Sequence, residues 1–313
     1  MREEKKVIKK FLNYYCDGYP CALGEFLGIL GCQEVQEKVA SLTGEERNTL
    51  IEYAILKNIG AGVGEVNIKT QDIQGTLSLL DKYHLKGKAI ISAKDYCTLT
   101  TNDLIGGRVI LDIESLLDYN ADLLSQISDI SARADIPLAI NLSSDLEEIG
   151  KIVNLYSLSP AEVLESFGLL DRECFVYGLN YLDKDDQKLI KRYEKMCIFS
   201  PQSDGLQGKG AINLYNFIFN QLKFGFSSGK CYNINMLLEG LLAEINTSNL
   251  MHEGGIVKAE EILKPLQSGE EKLAVDYESE EGLLCKKIEL NREELAMLKE
   301  KTKEIARKIK ENK

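Results

Sequence analysis

Residues 137–171 read PLAINLSSDLEEIGKIVNLYSLSPAEVLESFGLLD, and this stretch decides the fold. It opens with a short apolar run at 137–142, which is typical of a strand buried on both faces of a parallel sheet. Asp145 then precedes one amphipathic stretch and Ser159 precedes a second, and both residue types are preferred at helix N-caps. A buried strand followed by helices is the repeating unit of an α/β protein.

The same alternation extends along the chain from about residue 59 to residue 228. The apolar runs that we interpret as strands lie at 60–66, 87–92, 107–113, 137–142, 174–179, 196–199 and 222–226. The helical patterns between them begin at N-cap residues Asp72, Asp145, Ser159 and Asp183. A further strand at 7–15 brings the number to eight, which favours a closed (β/α)8 barrel over an open doubly wound sheet.

The glycine-rich segment GAGVGE at 60–65 is the nearest approach to a nucleotide-binding loop. Glu65 occupies the position at which the G-x-G-x-x-G pattern requires its third glycine. We place these glycines inside a strand, where glycine marks a close approach of two backbones. The sequence therefore does not predict a dinucleotide site.

Composition and charge exclude several classes of function. The 313 residues are 44% hydrophobic and 28% charged, with a net charge of −11 and a pI of about 5.0. A duplex-binding surface requires an excess of basic residues, so no nucleic-acid partner is expected. No apolar run approaches the roughly 18–20 residues of a membrane span, and the charged start MREEKKVIKK does not resemble a secretory signal. We therefore expect a cytoplasmic protein without a membrane partner.

The eight cysteines are scattered and form no C-x-x-C motif. In a cytosolic chain such cysteines are usually reduced, buried and structural. The alternative is a soft-metal cluster, for which Cys16, Cys97, Cys197 and Cys231 are the candidates at the barrel mouth.

The pattern changes after about residue 250, so we predict a barrel at 1–250 and a C-terminal appendage at 251–313. The appendage contains a charged amphipathic helix at 291–313, with Leu295, Leu298, Ile305 and Ile309 on one stripe. This helix either docks on the barrel or forms a coiled coil with a partner.

Four segments carry a resemblance to a known family: residues 137–171, CFVYGLNYLDKDD at 174–186, CIFSPQSDGLQGKG at 197–210 and FGFSSGKCYNINMLLEGL at 224–241. Their order and spacing resemble the amidohydrolase superfamily, in the branch of the adenosylhomocysteine, methylthioadenosine and guanine deaminases and the chlorohydrolases. The resemblance implies a (β/α)8 barrel in which a divalent metal activates a water molecule for attack.

The residues that the resemblance implies as metal ligands are absent. In the family a His-x-His follows strand 1, single histidines follow strands 5 and 6, and an aspartate follows strand 8. In this sequence the last three positions fall on Asn141, Gly178 and either Ser228 or Gly229. A substrate-binding glutamate aligns with Ser144, and the histidine of strand 7 aligns with Phe199.

The histidine count supports this conclusion independently of any alignment. The chain contains only His84 and His252, which are 168 positions apart in the numbering, so a His-x-His pair cannot exist. Asn and Gly cannot replace imidazoles as strong ligands. We therefore expect no metal and no cofactor. The pocket positions implied by the resemblance are Asn141, Ser144, Gly178, Tyr181, Ser203, Asp204 and Ser228.

Three functions remain open on the sequence. The first is a catalytically silent barrel that binds a small molecule, a second copy of itself or an active relative. The second is an enzyme of altered, metal-independent chemistry, in which Glu65 and Asp112 act as acid and base or Lys94 forms a Schiff base. The third is a structural role through the C-terminal helix. No catalytic residue is assigned. The charged or polar side chains expected at strand ends are Asp17, Glu65, Lys94, Asp112, Tyr181, Asp204 and Lys230.

Overall fold

The computed structural model describes residues 7–27, 39, 41–98, 107–276, 284–285 and 292–311. The strands are β1 Val7–Asp17, β2 Val63–Lys69, β3 Ala89–Ser92, β4 Val109–Ile113, β5 Leu138–Asn141, β6 Cys174–Tyr177, β7 Met196–Phe199, β8 Phe224–Phe226, β9 Gln267–Asp276 and β10 Leu284–Cys285. The helices are α1 Gly18–Leu27, α2 Gly44–Gly60, α3 Ile73–Lys82, α4 Ala93–Thr98, α5 Ala121–Ala134, α6 Leu146–Tyr156, α7 Pro160–Ser166, α8 Lys184–Arg192, α9 Pro201–Gln207, α10 Leu214–Phe219, α11 Met236–Met251, α12 Ala259–Leu266 and α13 Arg292–Glu311.

The strand order confirms the predicted α/β barrel class. Within the described residues the sheet runs β10-β9-β1-β2-β3-β4-β5-β6-β7-β8, so β1 to β8 are neighbours in chain order. Pairing is parallel from β1 to β2 and along β4 to β8. Past the end of β8, Gly229 forms a parallel bridge with Cys16 of β1. This succession of parallel strands joined by helices is that of a (β/α)8 barrel.

The helices begin where the sequence places their caps. Asp72 accepts a hydrogen bond from the Gly75 amide at 2.9 Å, and Asp183 accepts one from the Asp185 amide at 2.8 Å. Asp145 and Ser159 cap α6 and α7 in the same way. Each side-chain oxygen satisfies an amide that has no partner within its own helix, which fixes the start of the helix.

Two features of the sheet differ from the sequence prediction. The segment 60–66 is not one strand, because α2 extends to Gly60 and β2 begins only at Val63, after a turn at Gly62 with φ of 76°. Glu65 consequently lies inside β2 and not at its carboxyl end. The strands β9 and β10 are additions that the weak apolar pattern of the tail did not reveal. They pair antiparallel, β9 with β1 and β10 with β9.

Contacts divide the chain into two compact units. Unit 1 comprises Met1–Ala89, Ser227–Leu237 and Leu263–Lys313, and unit 2 comprises Ile90–Phe226 and Leu238–Ile262. The predicted boundary between barrel and appendage at residue 250 stays a prediction. No helix in the described part of the chain is long and apolar enough to span a bilayer.

In unit 1 the predicted C-terminal helix is present as α13 and packs on α1 and α2. Ile305, Ala306 and Ile309 are buried on it, so the apolar stripe covers neighbouring helices of the same unit. Lys308 pairs with Glu46 on α2 at 2.6 Å, outside the apolar contact. In these contacts α13 is a docked helix, as the first of the two sequence interpretations predicts.

Unit 2 is held by an apolar core beneath its strand ends. Phe199 of β7 packs edge-on against Phe217 of α10 with ring centroids 4.8 Å apart, and Phe226 of β8 lies 6.3 Å from the Phe199 ring. Aromatic pairs in this geometry add to the stability that burial alone gives. Phe199 is 3% exposed, so the residue aligned with the strand-7 histidine of the family serves this core.

Candidate functional site

The ends of β5 and β6 meet at Asn141 and Gly178. The Asn141 Nδ2 atom donates to the Glu114 carbonyl at 2.8 Å, while its Oδ1 atom is buried without a partner among the described residues. A Cβ atom placed on Gly178 would lie 2.1 Å from this Oδ1 atom and 2.8 Å from the Ser144 Cβ atom. Gly178 also has a φ of 67°, which disfavours any side chain. Only glycine fits at this position.

The loop after β5 is joined to the residue after β6 through the backbone. The Ser143 amide donates to the Gly178 carbonyl at 3.0 Å, and the Tyr181 amide donates to the Ser143 carbonyl at 3.1 Å. Ser144 is 4% exposed. Three of the predicted pocket positions, Asn141, Ser144 and Gly178, are therefore brought into contact.

A buried carboxylate lies on the neighbouring strand. Asp112, the fourth residue of β4, has no exposed surface, and one of its carboxylate oxygens accepts a hydrogen bond from the Tyr177 hydroxyl at 2.8 Å. The Tyr119 hydroxyl donates to the Asp112 carbonyl at 3.3 Å. Burial raises the pKa of Tyr119 to about 12, and the negative charge of Asp112 adds to this effect.

The remaining predicted positions of unit 2 follow β6 and β7. Tyr181 is 37% exposed, and a Cβ atom on Gly210 would lie 3.0 Å from its hydroxyl oxygen. Ser203 and Asp204 lie in α9, where the Ser203 hydroxyl accepts a hydrogen bond from Gln207 at 2.8 Å. Tyr181 is exposed, and Asp204 and Asn141 are partly exposed, among the predicted positions in this unit that carry polar side chains.

Near the predicted position Asp204 lies a second carboxyl group, that of Glu239, which the sequence did not predict as part of a site; the charge of Asp204 acts on it. Burial raises the pKa of Asp204 to about 6, while a hydrogen bond from Asn180 and the charge of Lys209 act in the opposite direction. Glu239, in the first turn of α11, has no exposed surface. Its Oε2 atom accepts from the Gln202 amide at 3.0 Å, and its Oε1 atom has no partner among the described residues.

The pKa of Glu239 is raised further than that of Asp204. Burial lifts it to about 8, and the charge of Asp204 adds to the shift. Glu239 is therefore largely protonated at neutral pH and can donate a hydrogen bond from its carboxyl group. In the sequence this site is indicated only by Glu239 and Glu244, two acidic residues in the otherwise apolar stretch MLLEGLLAEI.

Ser228 lies in unit 1, in a buried network of amides. The Asn13 Nδ2 atom donates both to the Ser228 hydroxyl and to Asn58 Oδ1, each at 2.9 Å, and the Ser228 amide donates to Asn13 Oδ1 at 3.0 Å. All three residues have no exposed surface. The sequence-based prediction of the site did not include Asn13 or Asn58. The position of Asn13 within the apolar run FLNYYC nevertheless indicates a buried polar group.

The comparisons with known proteins agree with this arrangement of strands. No protein-family model matches the chain. The chain is 22% identical over 266 residues to the 5'-deoxyadenosine deaminase of Methanocaldococcus jannaschii, which covers 81% of this chain and 61% of that protein. It is 23% identical over 206 residues to the enzyme of the same name from Methanococcus vannielii, covering 64% of this chain and 48% of that protein. The chain thus spans about half to three-fifths of the length of these curated relatives.

Solved structures show the same fold. An adenosine deaminase from Xanthomonas campestris with bound zinc superposes with a TM-score of 0.78 at 11% identity, covering 96% of this chain and 86% of that chain. An amidohydrolase from Brucella melitensis gives a TM-score of 0.74 at 11% identity, covering 96% and 89%.

The similar sequences are deaminases, and an amidohydrolase and an adenosine deaminase share the fold, which supports the amidohydrolase superfamily for this chain. The sequence relatives and the shared barrel together confirm the resemblance that the four segments indicated.

Since one of the similar structures contains bound zinc, we tested whether the residues of this chain fit a divalent metal. Within the described ranges, no three His, Cys, Asp or Glu side chains converge to hold an ion, and this applies equally to the cysteine cluster considered above. His84 and His252 are both exposed and lie in turns that follow α3 and α11. Asn141 offers one amide oxygen and Gly178 offers no donor at all. The described donor set therefore does not fit a metal.

The other polar candidates of this barrel are dispersed. Asp17 ends β1 and is buried, and its Cα is paired in register with that of Lys69 at the end of β2. Lys94 is exposed on α4, so it is not in the desolvated pocket that activates a Schiff-base lysine. Lys230 is partly buried in unit 1. Of the predicted acid and base, Asp112 is the penultimate residue of β4, whereas Glu65 lies inside β2.

Proposed function

We propose that this chain is an amidohydrolase barrel that acts by binding, without metal-dependent hydrolysis. The observation that carries the proposal is the contact between Asn141 and Gly178. A metal ligand at position 178 needs a Cβ atom, and the Asn141 side chain already fills that space, with Oδ1 2.1 Å from where the Cβ atom would lie. The absence of metal ligands is therefore a consequence of how the ends of β5 and β6 pack. Replacing one side chain would not restore them.

The groups available to a ligand are Tyr181 and Asp204. The exposed side chain of Tyr181 offers an aromatic face for stacking, and the carboxylate of Asp204, a residue that is partly exposed as a whole, accepts hydrogen bonds from amino groups. These two features suit a flat, nitrogen-rich molecule. The curated relatives are named for 5'-deoxyadenosine, so this nucleoside is the first probe. A protein partner, such as a second copy or an active relative, is the other form of binding that we consider, and we place this activity in the cytoplasm.

The experiment combines three measurements on the purified chain. Zinc content is measured after incubation with zinc and dialysis, binding of 5'-deoxyadenosine by calorimetry, and ammonia release by a coupled assay. We expect binding that is lost in Tyr181→Ala and Asp204→Asn and retained in Leu146→Ala, an exposed control on α6. We expect neither stoichiometric zinc nor ammonia.

Two outcomes decide against the proposal. Ammonia release together with stoichiometric zinc would make the chain a metal-dependent deaminase. The second outcome has two parts. The chain does not bind the nucleoside, and light scattering shows only a monomer, both for the chain alone and for its mixture with an active relative. This result would exclude both forms of binding.

A metal-independent activity is the second candidate, and one observation favours it. Asp112 is a fully buried carboxylate near the end of β4 that is hydrogen-bonded to the Tyr177 hydroxyl, an arrangement that can exchange a proton with a ligand. Turnover of any nucleoside that persists in the presence of a chelator and disappears in Asp112→Asn would favour this candidate over pure binding. Borohydride trapping on Lys94 tests the Schiff-base alternative.

A further inference from the structure

The buried side of α11 is lined by small and polar residues. Glu239, Ala243 and Thr247 have no exposed surface, and Gly240 beside them is also buried. These positions recur every three to four residues, so they lie along one side of the helix. An ordinary surface helix buries its large apolar residues and presents its polar residues to water. In α11 this distribution is reversed.

The opposite side of α11 is formed largely by leucine and isoleucine. Leu241 is 50% exposed and Ile245 is 44% exposed, while Leu238 and Leu242 are half-buried. The residues at helical spacing on this side, which we call the leucine face, are Leu238, Leu241, Leu242, Ile245, Ser248 and Asn249. A helix side of this composition is normally buried against other protein.

Hydrogen bonds fix the orientation of α11, so the leucine face stays outside. The Glu239 Oε2 atom accepts from the Gln202 amide at 3.0 Å, and the Thr247 hydroxyl accepts from the Leu214 amide at 2.8 Å. A rotation of the helix that buried Leu241 would break both bonds and leave their amides without these acceptors. The exposure of the leucine face is therefore a property of the packed helix. All of these residues belong to unit 2.

We propose that the leucine face binds the leucine face of a second copy of this chain, in a two-fold symmetric pair of antiparallel α11 helices. In this pair Leu241 of each copy packs beside Ile245 of the other, because a two-fold axis repeats every contact in reverse. Aliphatic side chains spaced three and four residues apart interdigitate in such helix pairs. This inference rests on the proposed function, because it assigns a surface to the protein-binding form of that function.

Charge favours a second copy as the occupant. The chain has a net charge of −11, so two copies repel each other unless they meet through an uncharged surface. All six residues of the leucine face are uncharged, and Glu244, at its edge, can stay in the hydrated rim. The same net charge disfavours a nucleic acid or an anionic bilayer. A different protein would have to supply a matching apolar helix, whereas a second copy supplies it by symmetry.

The size of the leucine face sets the expected strength of the dimer. Six residues form this face, whereas a standard interface has roughly 20–30 residues and about 800 Å² on each partner. An interface at the small end of this range is usually weak and reversible. We therefore expect a dimer that dissociates in the micromolar range.

The test is sedimentation velocity of the purified, full-length chain at concentrations from about 1 to about 500 μM. We expect a concentration-dependent change from monomer to dimer. Leu241→Glu and Leu241→Lys each bring unpaired charges into the contact, so each variant alone should stay monomeric. An equimolar mixture of the two variants should recover dimer, because opposite charges then meet. Leu155→Glu, at a leucine on α6 that is 64% exposed, is the matched control and should associate like the wild type.

Binding of 5'-deoxyadenosine, measured on the same variants, separates this inference from the proposed nucleoside site. Tyr181 and Asp204 lie outside the leucine face, so Leu241→Glu should bind the nucleoside as the wild type does. A wild type that binds the nucleoside but remains monomeric at every concentration would overturn the dimer and leave the proposed function in place. A dimer that binds no nucleoside would support the leucine face and remove the nucleoside site.

Other results would also overturn the assignment. A dimer that persists in Leu241→Glu, or that is lost equally in Leu155→Glu, would place the contact elsewhere. The face would belong to another occupant if a monomeric wild type bound phosphatidylcholine vesicles, or the deaminase of Methanocaldococcus jannaschii, and Leu241→Glu abolished that binding. Circular dichroism of each variant keeps misfolding apart from loss of association.

Discussion

The Oδ1 atom of Asn141 lies 2.1 Å from the point that a Cβ atom on Gly178 would occupy. These residues end β5 and follow β6, at the two positions that the family resemblance assigns to metal-binding histidines. The asparagine and the glycine are thus complementary in volume, and each limits what the other position can hold.

The first prediction concerns this complementarity. Gly178→Ala should lower the free energy of unfolding by about 1–3 kcal/mol, because the new methyl group overlaps Asn141 and the backbone is in the left-handed region. In an Asn141→Ala background the cost of the same change should be smaller by about 1 kcal/mol. Urea denaturation of the four proteins measures this coupling.

The control for this cycle is Gly150 within α6, where a Cβ atom meets nothing within 4 Å. Gly150→Ala should stabilise the chain by about 0.5–1 kcal/mol through helix propensity. Equal costs of Gly178→Ala with and without Asn141 would contradict the packing described here.

The second prediction concerns the pH dependence of stability. The pKa of Glu239 is about 8 in the folded chain and about 4.5 when it is exposed, so the folded state binds the proton more tightly. Stability from this group is therefore fully present below pH 4.5 and is lost as the pH rises through about 8.

Glu239→Gln keeps the shape of the side chain and cannot ionise, so it should remove this part of the pH dependence. Compared with the wild type, the variant should gain stability between about pH 6 and pH 9. Thermal unfolding across this range measures the difference. Parallel stability curves for the two proteins would show that Glu239 does not titrate in this window.

The third prediction concerns the docking of α13. Ile309 is 6% exposed, so Ile309→Ala should destabilise the chain by about 2–4 kcal/mol through loss of buried surface and creation of a cavity. Met297 lies on the same helix and is 57% exposed, so Met297→Ala should change stability by less than about 0.5 kcal/mol. Equal effects of the two substitutions in chemical denaturation would argue for an undocked helix.

The fourth prediction concerns the buried amide network of unit 1. Asn13→Ala removes the donor to Asn58 and Ser228 and leaves their oxygens without that partner in a fully buried place. The free energy of unfolding should fall by about 3 kcal/mol. Asn154, exposed on α6, serves as control, and Asn154→Ala should cost less than about 0.5 kcal/mol. A cost below about 1 kcal/mol for Asn13→Ala would show that the network contributes little.

Much of the fold was predictable because its determinants are local. The apolar runs at 137–142 and 196–199 and the caps at Asp72 and Asp183 act over a few residues, and the structure contains all of them. The exact start of β2 was not predictable, because the glycines at 60 and 62 are compatible with a strand as well as with a helix end followed by a turn.

The sequence by itself determined the alternation of strands and helices, the resemblance to the amidohydrolase superfamily and the absence of a His-x-His pair, since these depend on residue identity and on spacing within one segment. Only the tertiary structure decided which distant groups meet. It brought Asn13 to Ser228, which is 215 residues away, set Glu239 against the start of α9, and filled the space beside Gly178 with Asn141. The physical reason is that burial and close contact depend on how whole elements pack, and the spacing of residues along one element does not contain that information.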